Sequence, residues 1–390
     1  MIVAHAIQTV LAQFAIAGRV EEARPFCGHI NDSYVVTCAD ATGRRRYLLQ
    51  RINEHVFRRP LEVMENIERV TRHIERKAAA GNACARNDND DAGARIPSRT
   101  PSRGNPFPQS QMLTLIFACN GRCFHQDAVG GTWRLYHFIE NSRVVESAQT
   151  PAQAEAAARA FGEFQGLLAD FEGPRLHETI VGFHDTPSRY ASLDAVLGGC
   201  DSSRSAAARA EIESAQRHRL LASVLLDLHR DGAIPERIVH NDAKISNVLF
   251  DESTDEALCV VDLDTVMPGL SLYDFGDMVR SMATTAAEDE PDPSKVEVEL
   301  PLFEGLARGY LSAAGGFLNA TEREHLVTAG KLITLEQAVR FLTDYLAGDV
   351  YYKTTRPGQN LDRASAQFKL LETIERNEQE MRAVVDAISR

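Results

Sequence analysis

Short alternating apolar runs occupy the first third of the chain. Two of them, Ser33–Thr37 and Tyr47–Leu49, flank the turn sequence CADATG, and this arrangement predicts a β-hairpin. Residues 111–141 contain three further runs of the same kind and predict three more strands. Between these two groups, apolar residues recur at helical spacing from Leu61 onward, which predicts a helix that ends at Gly81.

Helical spacing also occurs at the N-terminus, and it dominates the chain after residue 142. It predicts helices over residues 1–18, 152–171, 205–231, 297–313, 321–347 and 361–387. We therefore predict an α+β protein with a bilobal, protein-kinase-like fold. A small antiparallel-sheet lobe with one helix covers residues 1–141, and a larger, mainly helical lobe covers 142–390. Residues 81–110 are polar and rich in Pro, Gly and Ser, and they predict a mobile insertion in the first lobe.

Composition narrows the class of protein without defining it. A net charge of −13 argues against a protein that coats DNA or RNA, because such a protein needs a basic surface. The longest apolar runs are too short or too interrupted to span a bilayer, and the N-terminal segment lacks the basic region of a signal peptide. Seven cysteines in 390 residues favour reduced thiols. We expect a cytoplasmic protein without membrane or nucleic-acid partners, whose oligomeric state the sequence leaves open.

The sequence HNDAKISNVLFD, which begins at His240, carries the first candidate chemistry. Asp242 precedes Asn247 by five positions, and this spacing matches the catalytic loop of kinases. Phosphoryl transfer needs a carboxylate near the attacking hydroxyl and oxygen ligands for Mg²⁺. Asp242 is therefore the candidate base or orienting group, Asn247 a candidate metal ligand, and Lys244 a candidate contact of the γ-phosphate. His240 would brace the loop. A solvated turn is the alternative, since Asn-Asp pairs are common in turns.

Two carboxylates at the end of a buried strand supply the second candidate site. Asp262 and Asp264 lie two positions apart, so their side chains point the same way along a strand. Asp262 follows Asp242 by 20 residues, about one hairpin, and takes the role of a metal ligand that Asp264 assists. Asp274, in the triplet Asp-Phe-Gly, comes too late for that role. We expect it to cap the following helix and to accept hydrogen bonds from the catalytic loop.

These segments resemble the aminoglycoside phosphotransferase/choline kinase superfamily. The resemblance rests on HNDAKISNVLFD, CVVDLDTVMPGLSLYDFGDMVR and AVRFLTDYLAGDVYYK, and GHINDSYVV, YLLQRIN, PLEVMENI and WRLYHFIE extend it into the first lobe. Within the superfamily the chain is most similar to the N-acetylhexosamine 1-kinases. The resemblance implies ATP and Mg²⁺ as cofactors, an ATP-binding first lobe, and catalytic and substrate sites in the second. It also implies transfer of the γ-phosphoryl group to the anomeric C1 hydroxyl of N-acetylglucosamine or N-acetylgalactosamine, which gives the sugar 1-phosphate.

The resemblance also implies roles for residues of the first lobe. The sequence CGHINDSY would be the phosphate loop; Gly28 is its single glycine, and His29 and Asn31 would reach the sugar. The strand lysine that holds the α- and β-phosphates in kinases is missing from RYLLQRIN. Gln50 fills its position, and Arg51 follows. Either Arg51 turns inward, or Gln50 forms only hydrogen bonds and metal ions offset the phosphate charge.

Five further residues complete the implied site. Glu65 would be the helix glutamate that pairs with the strand lysine in kinases, here without that partner. Phe138 and Glu140 lie in the predicted hinge YHFIEN, whose backbone would contact adenine. Arg340 resembles a sugar-contacting arginine, with a surface ion pair as the alternative. Tyr345 would stack on the sugar or hydrogen-bond to it, with a place in the helix core as the alternative.

Three other functions compete with a sugar 1-kinase. One is another small-molecule kinase of the superfamily, acting on an aminoglycoside, choline or homoserine. A second is a pseudokinase scaffold, which the missing strand lysine favours and which the intact set of Asp242, Asn247 and Asp262 opposes. A protein kinase is disfavoured, because only twelve residues separate Asp262 from Asp274 and no Ala-Pro-Glu segment follows.

Overall fold

The computed structural model of the chain describes residues 2–26, 30–87 and 113–389. Gly28, His29 and most of the predicted insertion lie outside these residues. The described chain forms two compact units: Met1–Ser142 with Asp170–Ile180 and Leu258–Met267, and Arg143–Ala169 with Val181–Ala257 and Pro268–Arg390. Placing all of residues 142–390 in one lobe therefore missed two late segments that belong to the first unit.

The first unit contains a six-stranded antiparallel sheet. Its strands are β1 (Arg19–Phe26), β2 (Asp32–Asp40), β3 (Gly43–Arg51), β4 (Leu115–Ile116), β5 (His125–Gln126) and β6 (Thr132–His137). The order is β1-β2-β3-β6-β4, and β5 also pairs with β6. The hairpin predicted around CADATG is β2–β3, in which Asp40 faces Gly43. Strand β1 was not predicted, because it is mostly exposed and charged and shows no apolar alternation.

The two faces of the sheet have different character. Tyr47 and Leu49 of β3 lie in one apolar cluster with Trp133 and Leu135 of β6 and with the buried side of α1 (Ile2–Leu11). Successive residues of a strand point to opposite faces. Gln50, which directly follows Leu49, therefore lies on the face away from α1. This alternation decides which polar side chains of β3 and β6 share a site.

Helix α2 of the first unit runs from Pro60 to Asn87. Its buried face includes Val63, Ile67 and Val70, which are fully buried, so the spacing predicted the buried face correctly. The predicted end at Gly81 is wrong, because the helix continues for six more residues. One glycine inside a helix costs about 1 kcal/mol relative to alanine, and that cost alone does not end a helix that follows three alanines.

The second unit is mainly helical. Its helices are α3 (Pro151–Leu168), α4 (Thr186–Leu197), α5 (Ser202–Ala207), α6 (Arg209–Arg217), α7 (Val224–Arg230), α8 (Ser271–Met282), α9 (Leu300–Ala314), α10 (Ala320–Glu324), α11 (Leu326–Ala347), α12 (Gln359–Arg376) and α13 (Glu378–Ile388). The remaining short strands of the chain are β7 (Ser142–Val144), β8 (Arg237–Val239), β9 (Val248–Asp251), β10 (Ala257–Val260) and β11 (Met267–Gly269). The single helix predicted over 205–231 is divided among α5, α6 and α7, and α4 was not predicted.

Helices α3 and α9 approach each other closely. A Cβ atom on Gly305 would lie 2.4 Å from the carbonyl oxygen of Pro151, and one on Gly309 would lie 2.1 Å from that of Glu155. The two glycines, one helical turn apart, thus allow the backbones to touch. This packing fixes the position of α3. Phe161 and Phe164 of this helix contact the ring of His240, in the loop described below. Among the described residues, no helix is both long and apolar enough to cross a membrane.

Candidate active site

The loop that follows β8 in the second unit is anchored by alternate residues. Ala243 and Ile245 are almost fully buried, whereas Asp242 and Lys244 between them keep about a quarter of their side-chain surface exposed, at 24% and 26%. A 3-10 turn over Ile245–Asn247 then leads directly into β9. The sequence thus places its polar residues toward solvent and its apolar residues toward the core, which favours a rigid loop over a solvated turn.

Asp242 lies at the centre of this loop. Its carboxylate oxygen Oδ2 accepts a hydrogen bond from Nδ2 of Asn247 at 2.9 Å, and Nζ of Lys244 is 3.1 Å from the same oxygen. Burial would raise the pKa of Asp242, but Lys244, His240 and Asn247 outweigh it and lower the pKa to about 2. The group is therefore ionised at neutral pH, and it suits an orienting role better than that of a strong base.

His240 and Asp274 hold the loop from within the protein. The ring of His240 packs edge-on against Phe161, and its Nδ1 accepts the N–H of Asp242 at 3.3 Å. Asp274 is fully buried and accepts the backbone N–H groups of His240 at 2.9 Å and Asn241 at 2.7 Å. These are the contacts expected from the sequence. The expected helix cap is not formed, because α8 begins at Ser271 and Asp274 is its fourth residue.

A second support of the loop was missed by sequence reasoning. His184 is buried, and its ring nitrogens contact Oε1 of Glu336 at 2.9 Å and the carbonyl oxygen of Asn241 at 3.0 Å. Burial lowers the pKa of His184, but Glu336 and the Asn241 carbonyl raise it further, so the net shift is upward. Both ring nitrogens face acceptors, which the protonated ring satisfies by donating twice. Asn241 has a positive φ of 64°, a conformation that such contacts help to maintain.

The acidic turn of the first unit has a different environment. Asp262 adopts a left-handed backbone conformation with φ 61° and ψ 56°. Asp264 is almost fully buried; its Oδ2 accepts Nη2 of Arg134 at 3.0 Å and Nδ2 of Asn31 at 2.6 Å, and its Oδ1 accepts Nη1 of Arg134. With both oxygens bound in this way, Asp264 does not fit the predicted role of a magnesium ligand. Asn31 does not fit a sugar ligand, because its Oδ1 also accepts the N–H of Asn53.

The position of the missing strand lysine is occupied by a hydrogen-bonded pair. Gln50 lies opposite Arg134 in the sheet, and its Oε1 accepts Nε of Arg134 at 3.0 Å. Arg51 lies on the other face, where its guanidinium is 6.0 Å from the centre of the Trp133 ring. Of the two alternatives for this strand, an inward-turning Arg51 is therefore wrong. Gln50 forms hydrogen bonds only, and the buried cation beside it comes from β6.

Glu65 of α2 does not turn toward the sheet. Its side chain is 56% exposed and contacts Nε2 of His177 at 3.1 Å. The neighbouring residue Asn66 is fully buried and donates to the carbonyl oxygens of His177 at 2.8 Å and Val266 at 3.1 Å. The role assigned to Glu65 is therefore wrong. A polar residue beside the apolar stripe of α2 was the signal that pointed to Asn66.

The predicted hinge follows β6. The backbone N–H of Phe138 donates to the carbonyl oxygen of Arg46 at 3.2 Å, and the guanidinium of Arg46 lies 4.3 Å from the Phe138 ring centre. Glu140 is exposed and forms an ion pair with Arg46. The side chains of both predicted hinge residues thus contact one surface arginine. An adenine contact from this segment stays a prediction, and it would use backbone groups other than the N–H of Phe138.

The two predicted sugar ligands of α11 differ in their environment. Tyr345 is buried in the apolar cluster around α11, and Arg204 lies 4.8 Å from its ring centre, so its place is the helix core and not a sugar site. Arg340 lies near the rings of Phe183 and Tyr352, at 5.4 Å and 5.7 Å. Among the described residues, its side chain hydrogen-bonds only to Gln337, which leaves guanidinium donors for a ligand.

The predicted metal ligands offer the chemistry that Mg²⁺ prefers. Asn247 uses its nitrogen to hold Asp242, and its Oδ1 therefore points away from that carboxylate. Asp262 is a carboxylate at the end of a buried strand and keeps part of its surface exposed. Oxygen donors of this kind are typical magnesium ligands in phosphotransferases. The residues present in each unit therefore fit the metal that the resemblance implies.

An antiparallel-sheet unit, a larger helical unit and an Asp-Lys-Asn loop define a kinase-like phosphotransferase. The model of the phosphotransferase enzyme family (APH) matches residues 22–315, and the chain belongs to this family. Three solved structures share the fold, each with a TM-score of 0.54. A microcompartment-associated aminopropanol kinase is 16% identical, with 97% of this chain and 98% of that chain covered. An aminoglycoside phosphotransferase from Alicyclobacillus acidocaldarius is 12% identical, with 98% of this chain and 94% of that chain covered. A spectinomycin phosphotransferase in complex with ADP and spectinomycin is also 12% identical, with 96% of this chain and 98% of that chain covered.

Proposed function

We propose that this phosphotransferase uses ATP and Mg²⁺ to phosphorylate the anomeric C1 hydroxyl of an N-acetylhexosamine. The observation that carries the phosphoryl-transfer part is the loop in which Asp242 is held by Asn247 and Lys244 at about hydrogen-bond distance. The ADP complex of the similar spectinomycin phosphotransferase supports ATP as the donor. The acceptor is inferred from the resemblance and from the charges described next.

In the proposed reaction, the side chains act mainly by position and charge. Asp242, ionised at neutral pH, would accept a hydrogen bond from the acceptor hydroxyl and orient it toward the γ-phosphorus. Lys244 would leave Asp242 to contact the transferred phosphoryl group, which its 3.1 Å separation from Asp242 allows with a small movement. Asn247 and Asp262 would supply oxygen ligands to Mg²⁺. The metal offsets the negative charge of the phosphate oxygens.

Basic side chains near Asp242 favour a neutral acceptor over a cationic one. Burial lowers the pKa of Arg280, but Asp277, Glu288 and Asp242 raise it further, so Arg280 stays charged and electrostatically coupled to Asp242. Asp277 contacts the guanidinium of Arg280 at 2.8 Å and Glu288 contacts it at 2.9 Å. A cationic amine would have to compete for these carboxylates. A sugar hydroxyl has no charge to repel, and the guanidinium of Arg340 is a suitable donor for an acetamido carbonyl.

The test is coupled ADP release with Mg-ATP across a panel of acceptors. The panel contains N-acetylglucosamine, N-acetylgalactosamine, glucose, galactose, choline, homoserine and kanamycin. We expect turnover with one or both N-acetylhexosamines, and phosphorus NMR of the product should show an anomeric phosphate. The absence of turnover with both N-acetylhexosamines would overturn the acceptor assignment, and a 6-phosphate would overturn the regiochemistry.

Two variants test the machinery. Asp242→Asn keeps the shape of the loop but removes the charge, and Asp262→Ala removes a predicted metal ligand. We expect each to lower kcat by about 100-fold or more, with little change in melting temperature. Unchanged turnover in both variants would contradict the site. A wild-type protein that binds nucleotide without turning over any acceptor would instead support a pseudokinase scaffold.

A further inference from the structure

A buried ion pair connects β6 of the first unit to the acidic turn. Arg134 and Asp264 are 1% and 2% exposed and form a bidentate pair. Nε of Arg134 donates to Gln50, whose Nε2 in turn donates to Oγ of Ser33 at 3.0 Å. The Asp264 carboxylate also accepts from Asn31 at 2.6 Å. Arg134 of β6 and Asn31, which directly precedes β2, thus meet at one carboxylate, and Gln50 and Ser33 extend the hydrogen bonds from Arg134.

The backbone of Asp264 is held as well as its carboxylate. The backbone carbonyl of Asp264 accepts the hydroxyl of Thr179 at 2.8 Å, so both the backbone and the carboxylate of this residue are held. Asp264 lies in the 3-10 turn that begins immediately after Asp262. Asp262 itself is in the left-handed region, which a non-glycine residue keeps only where its surroundings impose it. Holding Asp264 therefore restricts where the Asp262 carboxylate can point.

The pair also places a guanidinium beside Gln50, where kinases have a lysine and this sheet has a neutral residue. A kinase places a lysine at the position of Gln50, and here that residue is neutral. Burial lowers the pKa of Arg134, but Asp264, Tyr136 and Asp262 raise it by more than burial lowers it. The net pKa shift is therefore upward, and the guanidinium stays charged. One cation is thus paired with Asp264 and lies within electrostatic reach of Asp262 on the same turn. A buried arginine without a function is an expensive feature, because an apolar pair of similar volume is often as stable or more stable.

We propose that Arg134 is a positioning residue for the magnesium-nucleotide complex. Its guanidinium, paired with Asp264, lies on β6 beside the position where kinases have a strand lysine, and through Asp264 it sets the orientation of Asp262. The role of Arg134 is indirect: its donors are used by Gln50 and Asp264, and it contacts neither substrate in this arrangement. This inference rests on the proposed function of Asp262 as a magnesium ligand.

The test separates positioning from stability. Arg134→Met alone leaves Asp264 buried without its counter-ion and should lower the melting temperature strongly. Asp264→Asn added to it removes the second charge while keeping the shape, and this double variant should recover most of the lost melting temperature. Binding of Mn²⁺ to the protein in the presence of ADP, followed by electron paramagnetic resonance, then reports the metal site without turnover. We expect the double variant to bind Mn²⁺ about 10–100-fold more weakly, as is typical when residues behind a metal ligand are replaced.

Kinetics give a second readout. In the double variant, kcat should fall with the Mn²⁺ affinity and the Mg²⁺ requirement should rise, whereas the KM of the acceptor should change by no more than about twofold. Arg134→Lys keeps the charge but not the paired donors and should fall between wild type and double variant. A matched control is Arg237→Met with Glu322→Gln, which removes another bidentate pair, at 3.0 and 2.9 Å. It should leave Mn²⁺ binding unchanged.

The outcomes are distinct. A stable double variant with wild-type Mn²⁺ binding would show that the pair is structural only, and the inference would be overturned while the proposed function stands. A wild-type protein that binds no Mn²⁺ in the presence of ADP would overturn the proposed function and this inference together. Equal weakening in the control pair would attribute the effect to general loss of stability and would also overturn it.

Discussion

Asp274 offers the clearest quantitative test of how the catalytic loop is held. The change Asp274→Ala removes the acceptor of two buried backbone N–H groups, those of His240 and Asn241. It also removes the acceptor of Nε2 of Gln165, at 2.6 Å. The Gln165 side chain is also held by the hydroxyl of Tyr310, whereas the two backbone groups cannot move without moving the loop.

The magnitude follows from these two groups. A buried donor that loses its partner costs about 1–3 kcal/mol. Because two backbone donors lose theirs, we expect the free energy of unfolding to fall by about 2–6 kcal/mol, a large part of the roughly 5–15 kcal/mol available to a typical domain. Asp274→Asn keeps one acceptor oxygen and presents an amide to the other N–H. It should therefore fall between the wild type and the alanine variant.

The assay is urea unfolding followed by far-UV circular dichroism, which reports all helices of the protein, most of which lie in the second unit. The single tryptophan, Trp133, lies in the first unit and reports that unit separately by fluorescence. As a control, Asp292→Ala removes an exposed aspartate whose partners are the nearby residues Ser294 and Lys295, and its effect should be small. A loss below about 1 kcal/mol for Asp274→Ala would refute the reasoning, because it would mean that the loop finds other partners.

Two further predictions concern packing and pH. Gly309→Ala places a Cβ atom 2.1 Å from the carbonyl oxygen of Glu155, and we expect overpacking to cost about 1–3 kcal/mol in thermal unfolding, whereas Gly316→Ala, with no atom within 4 Å of its new Cβ, should cost far less. The hydrogen bond to Glu375 raises the pKa of His218 above 6.5, and the same bond lowers the pKa of Glu375 below 4.5. The His218–Glu375 pair therefore stabilises the fold fully between about pH 4.5 and 6.5. This contribution to the free energy of unfolding is lost as pH rises through the raised pKa of His218. It is also lost as pH falls through the lowered pKa of Glu375. The melting temperatures of the wild type and His218→Gln should differ most near pH 5.5, and a difference independent of pH would contradict this assignment.

The sequence predicted the parts of the site whose signal is local. Asp242, Lys244 and Asn247 lie within six residues, and their spacing alone indicates a loop with one carboxylate at its centre. Apolar alternation predicted the β2–β3 hairpin, and helical spacing of apolar residues predicted the buried face of α2. Each of these features depends on neighbours in the chain, so a single sequence contains the information that determines it.

The parts that escaped prediction depend on distant neighbours. Arg134 and Asp264 are 130 residues apart, and His184 and Glu336 are 152 apart, so no spacing links them. Each pair still left a trace: a charged residue within an apolar stretch, as in WRLYH for Arg134. Such a residue indicates a buried partner, but it does not say which one.

The first unit is built from segments that are far apart in the chain, and this has a consequence for its folding during synthesis. Its strands are synthesised first, but Asp264 follows Arg134 by 130 residues, which at 5–20 residues per second means roughly 7 to 26 seconds. During that interval the guanidinium of β6 has no counter-ion, and closing the sheet around it would bury an unpaired charge. Vectorial synthesis therefore does not complete this unit in the order in which its strands emerge. For the same reason, residues 1–142 are not an independent module: any exchange of this unit with a relative must also carry the segment Leu258–Met267.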